Sequence, residues 1–247
     1  MFVKIKQSFD FVFFISYVCI VGLEIVSAVR KEMAMEYNAK QLQIIYVAER
    51  LFAMKGFAGT SVRDIAQEAD VNVSMISYYF GSKEKLIEAL FELRTSESRL
   101  RIENILLLED LTHIQKVYIM IDSVLDRLWG NQCFHNIMMR EQLSSERTPY
   151  ISQHILELKI KNGELMNRLI TDGQTAGVFR KNIDLSLMTT TLYGTINHAI
   201  ATQEFYRKIN KLEDLSEEEF RTLIKRRLSQ HLKNLFKLTV SNEHNNQ

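Results

Sequence analysis

The residues best suited to binding chemistry lie between positions 59 and 83. This segment carries hydroxyl, amide, phenol and cationic side chains at spacings that predict two short helices joined by a tight turn. Thr60 or Ser61 caps the first helix, whose apolar residues recur on one helical face. The turn follows at 70–72, and a second helix begins near Val73. We therefore predict a helix-turn-helix that reads double-stranded DNA.

The second helix has an outward face without strongly solvated charges. Ile76 and Phe80 are one helical turn apart and are expected to face inward. The other side chains are small polar or apolar groups, and base readout in the major groove explains them better than exposure to water does. Ser74 and Ser77 can donate or accept hydrogen bonds there, while an apolar neighbour contacts a thymine methyl group.

Phosphate contacts are expected at both ends of this segment. Tyr78, Tyr79 and Lys83 are placed to hold phosphates, and Ser82 begins the next helix with Lys83 beside its free backbone N–H groups. The candidate DNA-binding residues are Thr60, Ser61, Arg63, Asn72, Val73, Ser74, Met75, Ser77, Tyr78, Tyr79 and Lys83.

Several of these residues also have a purely structural interpretation. Thr60 or Ser61 is a helix cap even without DNA, and Tyr79 is as suitable for packing as for a phosphate contact. Arg63 is equally compatible with an ordinary solvated charge, whereas the position of Lys83 at a helix start favours the phosphate contact over a plain surface lysine.

Two stretches resemble the N-terminal domain of TetR/AcrR-type transcriptional regulators. These are Gly-Thr-Ser-Val-Arg-Asp-Ile-Ala at 59–66 and Tyr-Tyr-Phe-Gly-Ser-Lys-Glu-Lys-Leu at 78–86, within a likeness that covers 39–90. The resemblance implies an all-α homodimer. Its three-helix helix-turn-helix domain would bind a palindromic operator, and its larger helical C-terminal domain would hold an effector.

Two positions depart from the family pattern. Asp70 stands where glycine is usual in the turn, although a short polar side chain can still adopt the left-handed conformation at some cost. Val73 stands where members often carry lysine, so one common phosphate or guanine contact is absent.

The charge of the chain gives little support for DNA binding. The formal net charge is +1, and residues 39–85 hold six basic and five acidic side chains. Few cations are therefore available to displace the counterions of DNA, which predicts modest non-specific affinity and a shallow dependence on salt.

The rest of the chain is predicted to be helical. A single proline and nine glycines in 247 residues leave few helix breakers. A first helix ends at Gly56, and a linking helix starts near Leu86. Further helices are predicted at 112–129, 132–143, 149–175, 185–207 and 217–238. We assign the DNA-binding domain to 35–85 and an effector-binding and dimerisation domain to 86–247.

The last two predicted helices are the candidates for the dimer interface. Asp184 and Ser216 have the residue types of helix caps, and Ser216 with Glu219 forms a capping box. The loop at 177–180 resembles the one that precedes the dimer-forming helices in the family. Helices near 185–207 and 217–238 would then form a four-helix bundle with a second copy. The alternative is that they only complete the core of one chain.

An effector pocket is expected among the middle helices, where aromatic and methionine side chains can line an adaptable cavity. The candidate lining residues are Tyr118, Trp129, Phe134, His135, Met138, Met139 and Leu165. For each of them taken separately, packing in an ordinary helical core is the better interpretation. We expect an unidentified small molecule to shift the dimer to a state whose recognition helices no longer match the operator.

The N-terminal segment differs in composition from the predicted helices of the rest of the chain. Residues 11–23 form an almost wholly apolar run that is short for a membrane span. We interpret 1–34 as an extension upstream of a true start at Met33 or Met35. There are two alternatives. The segment is a membrane tether, which would make the protein a membrane-bound regulator, or it is an extra packing helix.

Enzymatic classes find little support. The sequence has no phosphate-binding glycine loop, no His-Glu-x-x-His motif and no cysteine pair at metal-ligand spacing. We predict no catalytic residue, no cofactor, no metal and no membrane partner, and a cytoplasmic protein. A helical enzyme is the remote alternative.

Overall fold

A computed structural model gives the structure of the protein for residues 37–144 and 148–242. The extension predicted at 1–34 lies outside these residues. The described parts contain ten α-helices and no strand, apart from one isolated bridge between Phe179 and Ser241, which confirms the all-α class. The helices are α1 (Ala39–Lys55), α2 (Val62–Glu68), α3 (Val73–Phe80), α4 (Lys83–Leu107), α5 (His113–Gly130), α6 (Gln132–Leu143), α7 (Pro149–Thr175), α8 (Leu185–Ala201), α9 (Gln203–Ile209) and α10 (Glu217–Val240).

The chain divides into two compact units. The first ends at Asn104 and the second begins at Ile105, so α4 passes from one into the other. The sequence predicted a domain boundary after residue 85, whereas the first compact unit continues along α4. The functional boundaries at 35–85 and 86–247 stay a prediction.

Local capping explains where the short helices of the first unit begin and end. Ser61 caps α2, since its hydroxyl accepts from the backbone N–H of Asp64 while the Asp64 carboxylate accepts from the backbone N–H of Ser61. Asn72 caps α3 by accepting from the N–H of Ser74. Asp70, in the turn between them, has a φ of 49°, which confirms the predicted left-handed residue.

The core of the first unit comes mostly from the helices that flank the turn. α3 contributes one fully buried side chain, Ile76, which is 1 % exposed. Phe80, which we also expected to face inward, is only half-buried. The other buried residues on these helices include Ile44, Ile45, Ala48 and Phe52 of α1, Ile65 and Ala66 of α2, and Leu86, Ile87, Leu90 and Phe91 of α4. The position of α3 therefore depends on its neighbours more than on its own packing.

A buried ion pair joins α1 to α4. The Arg94 guanidinium donates to both carboxylate oxygens of Glu49, with its Nε 3.1 Å from Oε1, and also to Glu97 at 2.8 Å. The side chains of Arg94 and Glu49 are 11 % and 5 % exposed. Burial by itself lowers the pKa of Arg94, but the hydrogen bonds and charges of Glu49 and Glu97 outweigh it and raise that pKa.

The second unit is built around α5, which packs against α6, α7, α8 and α10. Pro149 occupies the first turn of α7, and the carboxylate of Asp184 caps α8 by accepting from the N–H of Leu187. Ser216 and Glu219 form the capping box of α10. These caps confirm the predicted helix starts, and α6 and α7 match their predicted ranges at both ends.

One predicted helix is broken in the structure. The range 185–207 was expected to be continuous, but α8 ends at Ala201 and α9 starts at Gln203. Between them Thr202 has a φ of −113° and a ψ of 24°, and its hydroxyl donates to the carbonyl of His198. These backbone angles lie outside the helical range and end α8, and the hydroxyl bond to the carbonyl one turn earlier is compatible with a bend at this point.

Removing one partner of the buried ion pair is expected to destabilise the protein strongly. Glu49→Leu leaves the Arg94 charge buried with only Glu97 beside it, which should lower the free energy of unfolding by about 3–5 kcal/mol. Urea denaturation measures the difference. The double variant Glu49→Leu, Arg94→Leu is the control and should recover at least half of it. A loss of about 1 kcal/mol or less, as for a surface ion pair, would contradict this account.

Candidate DNA interface and effector region

The first turn of α3 presents hydrogen-bond acceptors. The Asn72 side-chain oxygen accepts from the backbone N–H and from the hydroxyl of Ser74, both at 3.0 Å. The Ser77 hydroxyl donates to the carbonyl of Val73 at 3.5 Å. Because both serine protons are directed to neighbours in the protein, their oxygens are left to accept hydrogen bonds from outside. Asn72 is used as a cap, so its amide oxygen is engaged locally.

Tyr78 is the most prominent side chain of α3. It is 83 % exposed, whereas Tyr79 is half-buried. The two rings meet edge to face with their centroids 5.2 Å apart, and Tyr79 also contacts the ring of Phe80. Val73, at the start of the helix, is 40 % exposed. The outer face of α3 thus combines one large phenol with small polar and apolar groups.

Lys83 binds backbone carbonyls of the protein, whereas the sequence predicted a phosphate contact. Its ammonium donates to the carbonyls of Phe57 and Thr60, each at 2.9 Å, and lies 4.3 Å from the centroid of the Phe57 ring. The ammonium is therefore engaged by the loop before α2 instead of standing free for a phosphate. These hydrogen bonds hold that loop against the first turn of α4.

Thr60 is likewise used inside the protein. It is 1 % exposed, and its hydroxyl is 2.8 Å from the carbonyl of Gly56 and 3.3 Å from that of Leu51. Burial leaves no path from this hydroxyl to DNA. Ser61, the actual cap, is exposed. The side-chain hydrogen bond from Ser61, followed by that from its backbone N–H, lowers the pKa of Asp64, which keeps the capping carboxylate ionised.

The cations around the helix-turn-helix are mostly paired. Arg50 lies 3.2 Å from Glu68. Lys55 and Lys85 have carboxylate partners as well, on α2 and α4. Arg63, by contrast, is exposed and makes no ion pair or side-chain hydrogen bond with any described residue. It is therefore the basic side chain of α2 that is available to a phosphate.

The predicted effector residues are spread over three helices of the second unit. Trp129, Phe134 and His135 are buried, at 3 %, 4 % and 7 % exposure. The half-buried ones are Tyr118 on α5, Met138 and Met139 on α6, and Leu165 on α7. A cavity of about 470 Å³ lies elsewhere, beside the turn after α7 and lined by Phe179, Arg180 and their neighbours. None of the predicted pocket residues lines that cavity.

A polar group that the sequence did not reveal lies on α5 and α8. The Arg127 guanidinium donates to the hydroxyl of Tyr193 at 2.9 Å, across 66 positions of sequence. One helical turn beyond Tyr193, the side-chain oxygen of Asn197 is buried without a hydrogen-bond partner. Burial lowers the pKa of His135, and the charge of Arg127 lowers it further. No local motif marks these residues, because packing of separate helices brings them together.

Two family models match the chain. Residues 44–90 match the model of bacterial regulatory proteins of the tetR family, and residues 114–230 match the tetracyclin repressor-like C-terminal domain. The chain belongs to the TetR family. It is a helix-turn-helix transcriptional regulator, and α2 and α3 lie within the DNA-binding match.

Individual relatives agree with this assignment. The chain is 27 % identical over 170 residues to the fatty acid metabolism regulator protein of Bacillus subtilis, a match that covers 66 % of this chain and 82 % of that protein. A second relative in B. subtilis, the probable HTH-type transcriptional regulator YttP, is 60 % identical over 48 residues. That match spans 19 % of this chain and only 23 % of YttP.

The fold of this TetR-family protein is also found in a solved structure, the transcriptional regulator FadR from B. subtilis in complex with stearoyl-CoA. The TM-score is 0.56 at 24 % identity, with 77 % of this chain and 96 % of that chain covered. Within residues 37–144 and 148–242, no helix is long and apolar enough to cross a membrane. The same residues contain no group of three or more His, Cys, Asp or Glu side chains that could hold a metal ion.

Replacing Lys83 should affect folding before it affects DNA electrostatics. Lys83→Met removes the hydrogen bonds to Phe57 and Thr60, so we expect the free energy of unfolding to fall by about 2 kcal/mol. The salt dependence of DNA binding should stay that of the wild type. Arg63→Gln is the matched variant, which should leave stability unchanged and reduce the salt slope by about 1 per subunit. If Lys83→Met instead left stability unchanged and reduced the salt slope, Lys83 would be the phosphate ligand.

Acid should destabilise the second unit through His135. Its pKa is lowered in the folded protein relative to about 6.5 in the unfolded chain. Between these two pKa values, the unfolded chain binds more protons at this histidine than the folded protein does. The contribution of His135 to the free energy of unfolding is therefore fully present above the pKa of the unfolded chain, and it is lost as the pH falls towards the pKa in the folded protein. His135→Gln should show a smaller loss between pH 7 and 5 in urea denaturation. The exposed control His198→Gln should behave as the wild type. Equal losses in all three proteins would contradict the assignment.

Proposed function

We propose that this protein is a ligand-responsive repressor that binds a palindromic operator as a homodimer in the cytoplasm. The observation that carries the DNA-reading part is the outer face of α3, where Tyr78 is 83 % exposed beside hydroxyls whose protons are already engaged. The helix has the length and position of a recognition helix in the family. Its side chains are suited to contacts with bases.

The chemistry of α3 favours particular base contacts. The oxygens of Ser74 and Ser77 can accept from the amino groups of adenine or cytosine, which face the major groove. Val73 and Met75 offer apolar surface to a thymine methyl group. α3 carries no lysine or arginine, so the bidentate contact of a cation to guanine is absent from it. We infer that these residues specify the operator sequence.

Phosphate contacts would hold the register of the helix on the duplex. Arg63 on α2 and Tyr78 on α3 are exposed, and we assign them this role. The Ser61 hydroxyl, which we also expected to contact a phosphate, donates to the Asp64 carboxylate at 2.6 Å and is engaged in the cap. Tyr79 is half-buried and supports the ring of Tyr78. Phosphate contacts position the protein but carry no sequence information themselves.

The surface of the second unit supports dimerisation through α8 to α10. Large apolar side chains there are unusually exposed, among them Leu187 at 64 %, Phe205 at 66 % and Ile209 at 63 %. Leu238 on α10 is 57 % exposed. A two-fold interface would bury the same patch on both copies. Two recognition helices related by that axis would read half-sites about 34–36 Å apart.

An effector would act by changing the balance between two dimer states. A small molecule that binds better to the state with mismatched recognition helices lowers operator affinity by its differential affinity. The comparisons point to a ligand class, since a relative in B. subtilis is named a fatty acid metabolism regulator and FadR from the same organism was solved with stearoyl-CoA. We therefore propose compounds with an acyl chain as the first effectors to test.

The decisive substitution is Tyr78→Ala, because it removes the most exposed side chain of α3 and, apart from its ring contact with Tyr79, little packed surface. In a gel-shift titration on the DNA that flanks its own gene, we expect the dissociation constant to rise at least tenfold, equivalent to about 1.4 kcal/mol. Leu156→Ala, which truncates an exposed apolar side chain of α7, is the matched control and should bind as the wild type. Equal retardation by the wild type and Tyr78→Ala would overturn the assignment of α3 as the reader.

A further inference from the structure

Arg127 is a partly buried arginine that has no acidic partner among the described residues. Its guanidinium is partly buried, donates to the Tyr193 hydroxyl at 2.9 Å, and lies 5.9 Å from the centroid of that ring. Arg94 pairs with two carboxylates, and Arg207, 15 % exposed, pairs with Glu217 at 2.9 Å. A guanidinium carries five N–H donors, of which one phenol uses a single donor.

The arrangement of donors around Arg127 matches a carboxylate. A carboxylate accepts two parallel hydrogen bonds from the edge of a guanidinium, and this pairing is stronger and more directional than one to a neutral group. Tyr193 fixes the guanidinium from one side, so its rotational freedom is already reduced before a ligand arrives. The protein leaves the remaining N–H groups of Arg127 to an anion from outside the chain.

Asn197 adds a second recognition element beside this anion. It lies one turn from Tyr193, so both side chains leave α8 on the same face. Its side-chain oxygen is buried and has no hydrogen-bond partner. Buried polar atoms are nearly always paired in folded proteins, so an unpaired one indicates a missing donor. A ligand hydroxyl near the carboxylate would supply that donor.

Each of these three residues has buried apolar neighbours in sequence. The buried neighbours in sequence on the same helices are Leu128 and Trp129 on α5 and Leu192 and Ile196 on α8, all at most 3 % exposed. Phe134 and His135 on α6 are also buried, and the Arg127 charge reaches His135. Hydrogen bonds are stronger in such low-dielectric surroundings. The hydrocarbon part of the ligand would lie against buried apolar side chains of the same unit.

We infer that Arg127, Tyr193 and Asn197 form the head-group site for an amphiphilic carboxylate that carries a hydroxyl near its carboxylate. Arg127 holds the anion, Tyr193 orients Arg127, and Asn197 accepts from the hydroxyl. This assignment rests on the proposed effector function and names the chemical class of its ligand. It also adds residues to the pocket that the sequence suggested at Trp129, Phe134 and His135.

Titration calorimetry with four ten-carbon probes below their micellar concentrations tests the site on the full chain. The probes are decanoate, 3-hydroxydecanoate, 1-decanol and decylamine. We expect 3-hydroxydecanoate to bind most tightly, decanoate at least threefold more weakly, and the alcohol and amine at least tenfold more weakly than decanoate. Equal affinity for all four probes, or no binding of either carboxylate, would overturn the proposal.

Substitutions of Arg127 and Asn197 test which side chain contacts the carboxylate and which contacts the hydroxyl. Arg127→Met should weaken both carboxylates at least tenfold, and Arg127→Lys should weaken them less because the charge remains. Asn197→Leu should remove the advantage of 3-hydroxydecanoate and leave decanoate binding intact. Arg168→Met, which changes an exposed arginine on α7, is the matched control. If Arg127→Met lowers the melting temperature but binds both carboxylates as the wild type does, Arg127 only stabilises the end of α5 and the proposal fails.

The same titrations repeated in a gel shift separate this inference from the proposed function. If carboxylate binding depends on Arg127 but leaves operator affinity unchanged, the site stands and the ligand-responsive role fails. If 1-decanol releases the operator as well as 3-hydroxydecanoate does, the ligand-responsive role stands and the carboxylate site fails.

Discussion

The contact of the Lys83 ammonium with the carbonyls of Phe57 and Thr60 is the constraint on which the DNA-reading part depends. The two helices of the reader have seven and eight residues, lengths at which an isolated helix is unstable in water. α3 fully buries only Ile76. Its place is therefore determined from outside, by the Asn72 cap at one end and by the start of α4 at the other. Lys83 connects that start to the loop that leads into α2.

This use of Lys83 also limits the positive charge that the DNA-reading part offers to a duplex. The ion pairs of Arg50, Lys55 and Lys85 neutralise their charges locally, and Lys83 is held by the loop, which leaves Arg63 as the cation of α2 that is open to DNA. Binding must then rely on directional contacts from α3 more than on displaced counterions. Specific recognition would depend on shape and hydrogen bonding, and non-specific binding would be weak.

Much of the fold could be predicted because its signals are local. Ser61, Pro149 and Ser216 act within one helical turn of their own positions, so residue type and spacing identify them. The break at Thr202 was missed because threonine is tolerated in helices, and only its backbone angles in the structure show that the helix ends there. Lys83 and Phe57 are 26 positions apart, and Arg127 and Tyr193 are 66 apart. Contacts at such separations arise from tertiary packing, which no short motif encodes.

The central claim is that α3 reads a two-fold symmetric DNA sequence. Selection of the full chain against randomised double-stranded DNA, followed by sequencing of the bound fraction, tests it directly because no operator sequence has to be chosen beforehand. We expect enrichment of an inverted repeat whose half-sites are about one helical turn apart or a multiple of it, and loss of that enrichment in Tyr78→Ala. No enrichment over the input, or the same enriched sequence with Tyr78→Ala, would contradict the claim.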